Sequence, residues 1–294
     1  VGNEQNTDDV SGVAKEILFN LTDLNLTSTL WATSATTGMY DYLVQLTGFR
    51  NNVNGTIKNN SELSARIIRF AAGSGDKNSP YIIRHEGDMK VLSDVAKADN
   101  LLGIYFKVLD GVTSFDLTDP TLLFDTIGSS TRKFMGFFDG NNAEFIIGIN
   151  KTTTDYLGLF GYVENGSIEN LTVSGDLTGR DYVGAVVGYA LNTKLNNVYS
   201  KTTIKARNYV GGIAGYSNNS SITNAYNMNN ITATGARVAG ISGHAQNEKL
   251  AHVFNYGEIS GTSHIGGVVG YGDTNLQVEF AYNRVVHGTT KLSP

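Results

Sequence analysis

The sequence predicts an all-β solenoid, and three observations carry that prediction. The stretch YVGGIAGY at 209–216 returns as YVGAVVGY (182–189), HIGGVVGY (264–271), RVAGISGH (237–244) and DYLGLFGY (155–162). The glycines before the last aromatic, Gly161, Gly188, Gly215, Gly243 and Gly270, follow one another at 27, 27, 28 and 27 residues. The repeats are rich in Val, Ile, Thr, Tyr, Asn and Gly, which form strands and turns. Helical repeats would need an apolar stripe at i, i+3, i+4, i+7, and no repeat has one. The L-x-x-L-x-L framework of leucine-rich repeats is also missing.

Measured from the anchor glycine, other positions fall into columns. Two before it stand Leu159, Val186, Ile213, Ile241 and Val268. Five before it stand Tyr156, Val183, Val210, Val238 and Ile265. Seven after it stand Ile168, Leu195, Ile222 and Leu250, then Leu276 or Val278. Ten after it stand Leu171, Val198, Ala225, Val253 and Phe280, and sixteen after it Leu177, Ile204, Ile231, Ile259 and Val286. Stacked coils place such residues at roughly 4.8 Å spacing. Val210 and Ile213 are three apart, so on one straight strand they would face opposite ways. Both face inward only if the chain turns between them. Gly211 and Gly212 are the expected corner, because glycine admits positive φ and close backbone approach. The same reasoning assigns corners to Asn170, Asn197 and Asn224, where Asn tolerates the left-handed region and stacked amides hydrogen-bond along the ladder.

Residues 155–288 resemble the GLUG-motif repeats of bacterial surface proteins, through GLFG (158–161), GGIAG (211–215) and GGVVG (266–270). The likeness extends upstream through GSGDKNSPYII (73–83), GDMKVLSDVAKADN (87–100) and FMGFFDGNNAEFIIGIN (134–150). It implies a right-handed parallel β-helix and an extracellular, cell-surface setting. Related repeats stand outside the catalytic domain of the IgA-cleaving metalloproteases. These motifs are made of shape-forming residues, so they speak to architecture more than to activity.

The solenoid is expected over 80–290. Met89, Leu92, Val95 and Ala96 have helical spacing, so a capping helix is expected near 87–99 with Asp88 as its N-cap. The last coil is expected to be uncapped, since HGTTKLSP after Val286 is short and polar. Residues 1–79 read as a separate mixed or arm-like segment. Val13, Ile17, Leu18, Leu21 and Leu24 suggest a helix near 10–24, and Ser61 to Phe70 a second short helix or a strand.

Composition excludes several classes. A net charge of −5 gives no basic surface for nucleic acid. No apolar run is long enough for a membrane helix. The absence of Cys excludes disulfides, thiolate metal sites and a cysteine nucleophile. No leader precedes Val1, so a mature chain or an excised fragment is expected.

The search for chemistry returns no catalytic residue, no metal site and no cofactor. Acidic residues do not stack as carboxylate pairs: Asp176 aligns with Thr203, Asn230 and Glu258, and Glu169 with Asn196, Thr223 and Ala251. Asp139 in FFDGNN reads as a turn residue and HEGD (85–88) as the start of a helix. The histidines lack metal spacing, and His244 and His264 replace tyrosines of neighbouring coils. The row Tyr162, Tyr189, Tyr216, His244, Tyr271 is expected to face outward. Its tyrosines are the candidate ligand contacts for a cell-surface glycan or protein; the competing reading is mutual stacking that stiffens the sheet. The expected function is a non-enzymatic extracellular surface protein, adhesive or structural. The alternatives are a subunit that self-assembles into a filament or sheath, through the C-terminal coil or the N-terminal segment, and a polysaccharide lyase or hydrolase.

Overall fold

The structure is a computed structural model that describes residues 31–32, 45–46, 50–53, 56–59, 70, 72–273 and 275–284. The chain divides into two units, Val1–Ala71 and Ala72–Pro294. In the first, Trp31–Ala32 pairs antiparallel with Gln45–Leu46, and Arg50–Val53 with Thr56–Asn59. The helix expected near 10–24 lies outside the described residues, as do Val286 and the polar tail.

The second unit is a right-handed parallel β-helix. Its largest sheet runs through eight parallel strands, from Tyr81–Ile83 at one end to Gln277–Asn283 at the other. Two smaller parallel sheets complete the coils. One contains Phe160–Glu164, Val187–Leu191, Ala214–Asn218, Ser242–Gln246 and Val269–Gly272; the other contains Asp181–Gly184, Asn208–Gly211, Ala236–Ala239 and Ser263–Gly266. All described pairings in the second unit's named strands are parallel, because each strand lies on its counterpart in the next coil.

The expected columns are physical stacks. Backbone hydrogen bonds run from Leu159 N to Ala185 O, Val186 N to Ile213 O, Ile213 N to Ile241 O and Ile241 N to Val268 O. Leu159, Val186, Ile213 and Ile241 are fully buried. Two positions shift by one residue from the sequence alignment. Leu157, not Tyr156, pairs with Val183, because the coil at 157–160 turns with one residue fewer. Ala281, not Phe280, pairs with Val253, and Val278 follows Leu250.

The helix α1 (Glu86–Ala98) is the crossover between the end strand Tyr81–Ile83 and its neighbour Tyr105–Val108. It buries Met89, Leu92, Val95 and Ala96, the face its spacing predicts. Its N-cap is His85, whose Nδ1 accepts the Asp88 N–H at 3.3 Å. Asp88 is therefore not the cap. Its carboxylate reaches back to accept the Arg84 backbone N–H (2.9 Å) and Nε (3.0 Å), a reciprocal arrangement akin to a capping box.

Candidate functional site

Each full coil makes three left-handed turns, and side-chain rows grow from them. Asn170, Asn197 and Asn224 have φ of 56°, 57° and 52°. Asn170 Nδ2 donates to Asp139 Oδ1 (2.9 Å) and Asn197 Nδ2 to Asn170 Oδ1 (3.0 Å), so amides bridge successive coils. Asp139 also accepts the Asn141 N–H at 2.9 Å, a local turn. A second asparagine row, Asn165, Asn192, Asn219 and Asn247, has φ of 47–54°. It is linked by Nδ2–Oδ1 bonds of 3.0, 2.5 and 2.8 Å.

The third left-handed position holds Tyr156, Tyr182, Tyr209, Arg237 and His264, with φ from 51° to 63°. Bulky residues are uncommon there and need support from their surroundings. The chain also bends at Gly211 and Gly212, between the strands Asn208–Gly211 and Ala214–Asn218, but without a left-handed residue. Gly211 and Gly212 do not take positive φ; they are glycines because backbone crowds them. A Cβ on Gly211 would lie 1.9 Å from Ala214 O, and one on Gly212 2.1 Å from Gly240 O. The second glycine also makes room for a buried amide. Asn227, Asn255 and Asn283 side chains press on Gly212, Gly240 and Gly267 respectively. In the preceding coil the equivalent pair is Ala185 and Ser200, a larger corner facing a smaller side chain.

The candidate tyrosines form the most regular outward row. Tyr162, Tyr189 and Tyr216 stack at ring separations of 4.6 Å and 4.6 Å with planes 11° apart. His244 and then Tyr271 follow edge-on. Beside them runs the left-handed row, with Tyr156, Tyr182 and Tyr209 stacked at 4.8 and 4.5 Å. The two rows form one aromatic ribbon with cations against it. Lys133 Nζ lies 5.6 Å from the Tyr162 ring centre, and the Arg237 guanidinium 4.8 Å from that of Tyr209. The faces of Tyr162, Tyr189 and Tyr216 cover one another, and the Tyr216 hydroxyl donates to Gln246 Oε1. Burial pushes Tyr182 and Tyr216 up to about 12, and pushes His244 down to about 4, so the imidazole is neutral at pH 7. The sequence did not reveal the left-handed row, because its members differ in type; the stack is visible only once register is known.

Charged groups pair along the coil edge. Arg180 holds Asp155, and Arg207 holds Asp181, whose carboxyl is kept below its ordinary value mainly by the Arg207 hydrogen bond. Asp125 pairs with Lys151 at 2.7 Å beside a shallow groove that Asp155 and Tyr156 also line. Among the described residues no cluster of three His, Asp or Glu is placed to hold a metal ion, and no helix is long and apolar enough to cross a membrane.

One titratable group escaped the sequence reading. Glu248 sits between Asn247 and Lys249 in what reads as a surface run, yet it is 1% exposed. It occupies the inward corner position held by Thr193 and Ser220 in preceding coils. Ser217 Oγ donates to its Oε2, Ser242 Oγ lies 2.7 Å from Ser217 Oγ, and Oε1 has no hydrogen-bond partner.

Fold and rows together define a parallel β-helix whose coils are tied by like-on-like ladders. The chain is similar in fold to the crystal structure of a "putative immunoglobulin A1 protease" from Bacteroides ovatus, with a TM-score of 0.51 and 18% identity over 74% of this chain and 79% of that one. No protein-family model matches the chain, and no curated protein matches it.

Proposed function

We propose that this chain is a non-enzymatic, extracellular cell-surface module of the GLUG-repeat type, in which the β-helix acts as a stiff structural spacer and contact surface. The observation that carries this reading is the aromatic ribbon. Its tyrosines stack on each other, which supports a stiffening role. The hydroxyl edges of the ribbon and the exposed asparagine row supply repetitive polar contacts for a cell-surface glycan or protein. Replacing Tyr189 and Tyr216 with Ser tests both parts. The expected result is a lower melting temperature together with weaker binding to cells or cell-wall glycan. Unchanged binding with lowered melting removes the adhesive part and leaves the structural one. Release of unsaturated or reducing ends from pectin, alginate or glycosaminoglycan by the purified chain overturns the non-enzymatic reading.

The last coil favours a second reading, self-assembly. Val278 (47% exposed), Phe280 (77%) and Tyr282 (59%) lie on the end strand of the large sheet, where Val278 follows the buried Leu250 and Phe280 stacks on the exposed His252. A parallel end strand with exposed apolar side chains is a template for further strand pairing. Sedimentation of wild type and Phe280→Lys checks this: concentration-dependent association lost in the variant supports it, and a monomer at all concentrations sinks it.

A further inference from the structure

We propose that Glu248 is an uncharged carboxylic acid built into the solenoid core, and that its ionisation loosens the last coils, making them a proton-dependent latch. The core elsewhere along this edge is aliphatic or small. Around Glu248 it becomes polar: Ser217 and Ser242, both buried, stand where the coils above carry Ala190 and Ala214. Both hydroxyls serve the carboxyl, Ser217 directly at Oε2 and Ser242 beside it, and Oε1 has no hydrogen-bond partner. A buried carboxylate without a cation is costly, and the proton is the cheapest neutraliser.

Among the described residues no cation forms an ion pair with Glu248, although Lys194 and Lys249 line the groove beside it. Lys249, the next residue, turns outward to Glu279 at 3.4 Å. Asp273 accepts the Asn247 N–H at 3.1 Å, which adds negative rather than positive charge nearby. His244, on the strand before, belongs to the outer aromatic ribbon. Tyr216 and Tyr226 are the titratable residues of strands Ala214–Asn218 and Ser221–Asn227, and Tyr271 that of Val269–Gly272; His252, on Lys249–Asn255, stacks outward on Phe280. Burial accordingly raises the Glu248 carboxyl to about 8.

The sign follows from linkage. Between the ordinary carboxyl value and about 8, the folded chain holds a proton that the unfolded chain has released, so stability falls as pH rises. His244 acts oppositely, since its value is lowered: below about 6.5 the unfolded chain takes up a proton that the folded chain refuses. The two oppose each other in acid, and the window from pH 6.5 to 8 isolates Glu248.

Denaturation of the full chain across that window tests the latch. In wild type the folding equilibrium constant should fall by up to about tenfold per pH unit, while Glu248→Gln should be nearly flat. Amide exchange, corrected for intrinsic rates, should show Lys249–Asn255 and Val269–Gly272 opening more at pH 8 in wild type only. Should Gln fail to fold, Glu248→Ser restores the residue of the preceding coil. Independently, carboxyl-carbon NMR of wild type should show Glu248 titrating near 8. A titration in the ordinary range of 4–5, or equal slopes in wild type and variant, overturns the proposal.

Discussion

The two ends of the β-helix are built from different materials. At the N-terminal end, Phe106, Phe115, Phe134, Phe138, Phe145 and Phe160 are fully buried and pack ring on ring, with Phe115 and Phe145 stacked at 4.8 Å and Phe138 edge-on to Phe160 at 5.3 Å. The helix α1 is the crossover at this end, between Tyr81–Ile83 and Tyr105–Val108. Toward the C-terminal end the interior holds smaller aliphatics interrupted by polar groups: Asn227, Asn255, Ser217, Ser242 and Glu248. One end is filled by aromatic bulk. The other depends on hydrogen-bonded ladders, and Gln277–Asn283 is its last strand among the described residues. Stability in such a stack is a sum of coil and neighbour terms, so the two ends should respond differently to mutation.

The largest contrast is expected between two phenylalanines. Phe138→Ala empties a closed aromatic core and should cost about 3–5 kcal/mol in chemical denaturation. Phe280→Ala removes an exposed ring and should change stability by less than about 0.5 kcal/mol. Equal losses would erase the distinction between the ends. A middle effect is expected at the polar end. Gly240→Ala places a Cβ 2.1 Å from Asn255 Cγ and 2.4 Å from Gly267 O, and should destabilise by about 1–3 kcal/mol. Adding Asn255→Ser recreates the Ala185–Ser200 combination and should recover part of the loss, because the backbone contact persists. A double-mutant cycle with no coupling would show that the amide and the corner are independent. The smallest effect is expected in acid. His244→Tyr restores the ribbon's usual residue and removes a group that must stay neutral. In wild type the His244 loss and the Glu248 gain offset each other as pH falls from 6.5 toward 4, so the variant, keeping only the gain, should be more stable relative to wild type when melted at pH 5 than at pH 7.

Much of this architecture was legible because a repeat reports register directly. The 27-residue spacing and the aliphatic columns translate into stacked coils with no further information. Asn170, Asn197 and Asn224 were also legible, since few other residues suit a left-handed corner. What was hidden has physical reasons. Gly211 and Gly212 looked like turn residues, but glycine also answers to crowding, and sequence does not separate the two causes. Tyr209 carries the left-handed turn although its type argues against it; neighbouring rings compensate for the strain. Glu248 between Asn247 and Lys249 has the composition of a solvated corner, and only its alignment with Thr193 and Ser220 betrays an inward side chain. Tyr156 and Phe280 were misplaced by one because spacing from a single anchor does not detect a residue lost or gained within a coil.

Those one-residue slips bear on how such a chain varies. Leu157 meets Val183 at 26 residues, Val183 meets Val210 at 27, and Val210 meets Val238 at 28. From Val183 onward each change in spacing falls between named strands, whereas the shift between Asp139 and Ala143 lies inside a strand and is two residues long, which keeps the side-chain alternation. Insertions and deletions at bends therefore leave the ladder intact, whereas a one-residue edit within a strand would invert each side chain beyond it. Lineages of this molecule should differ by whole coils and by residues at the bends.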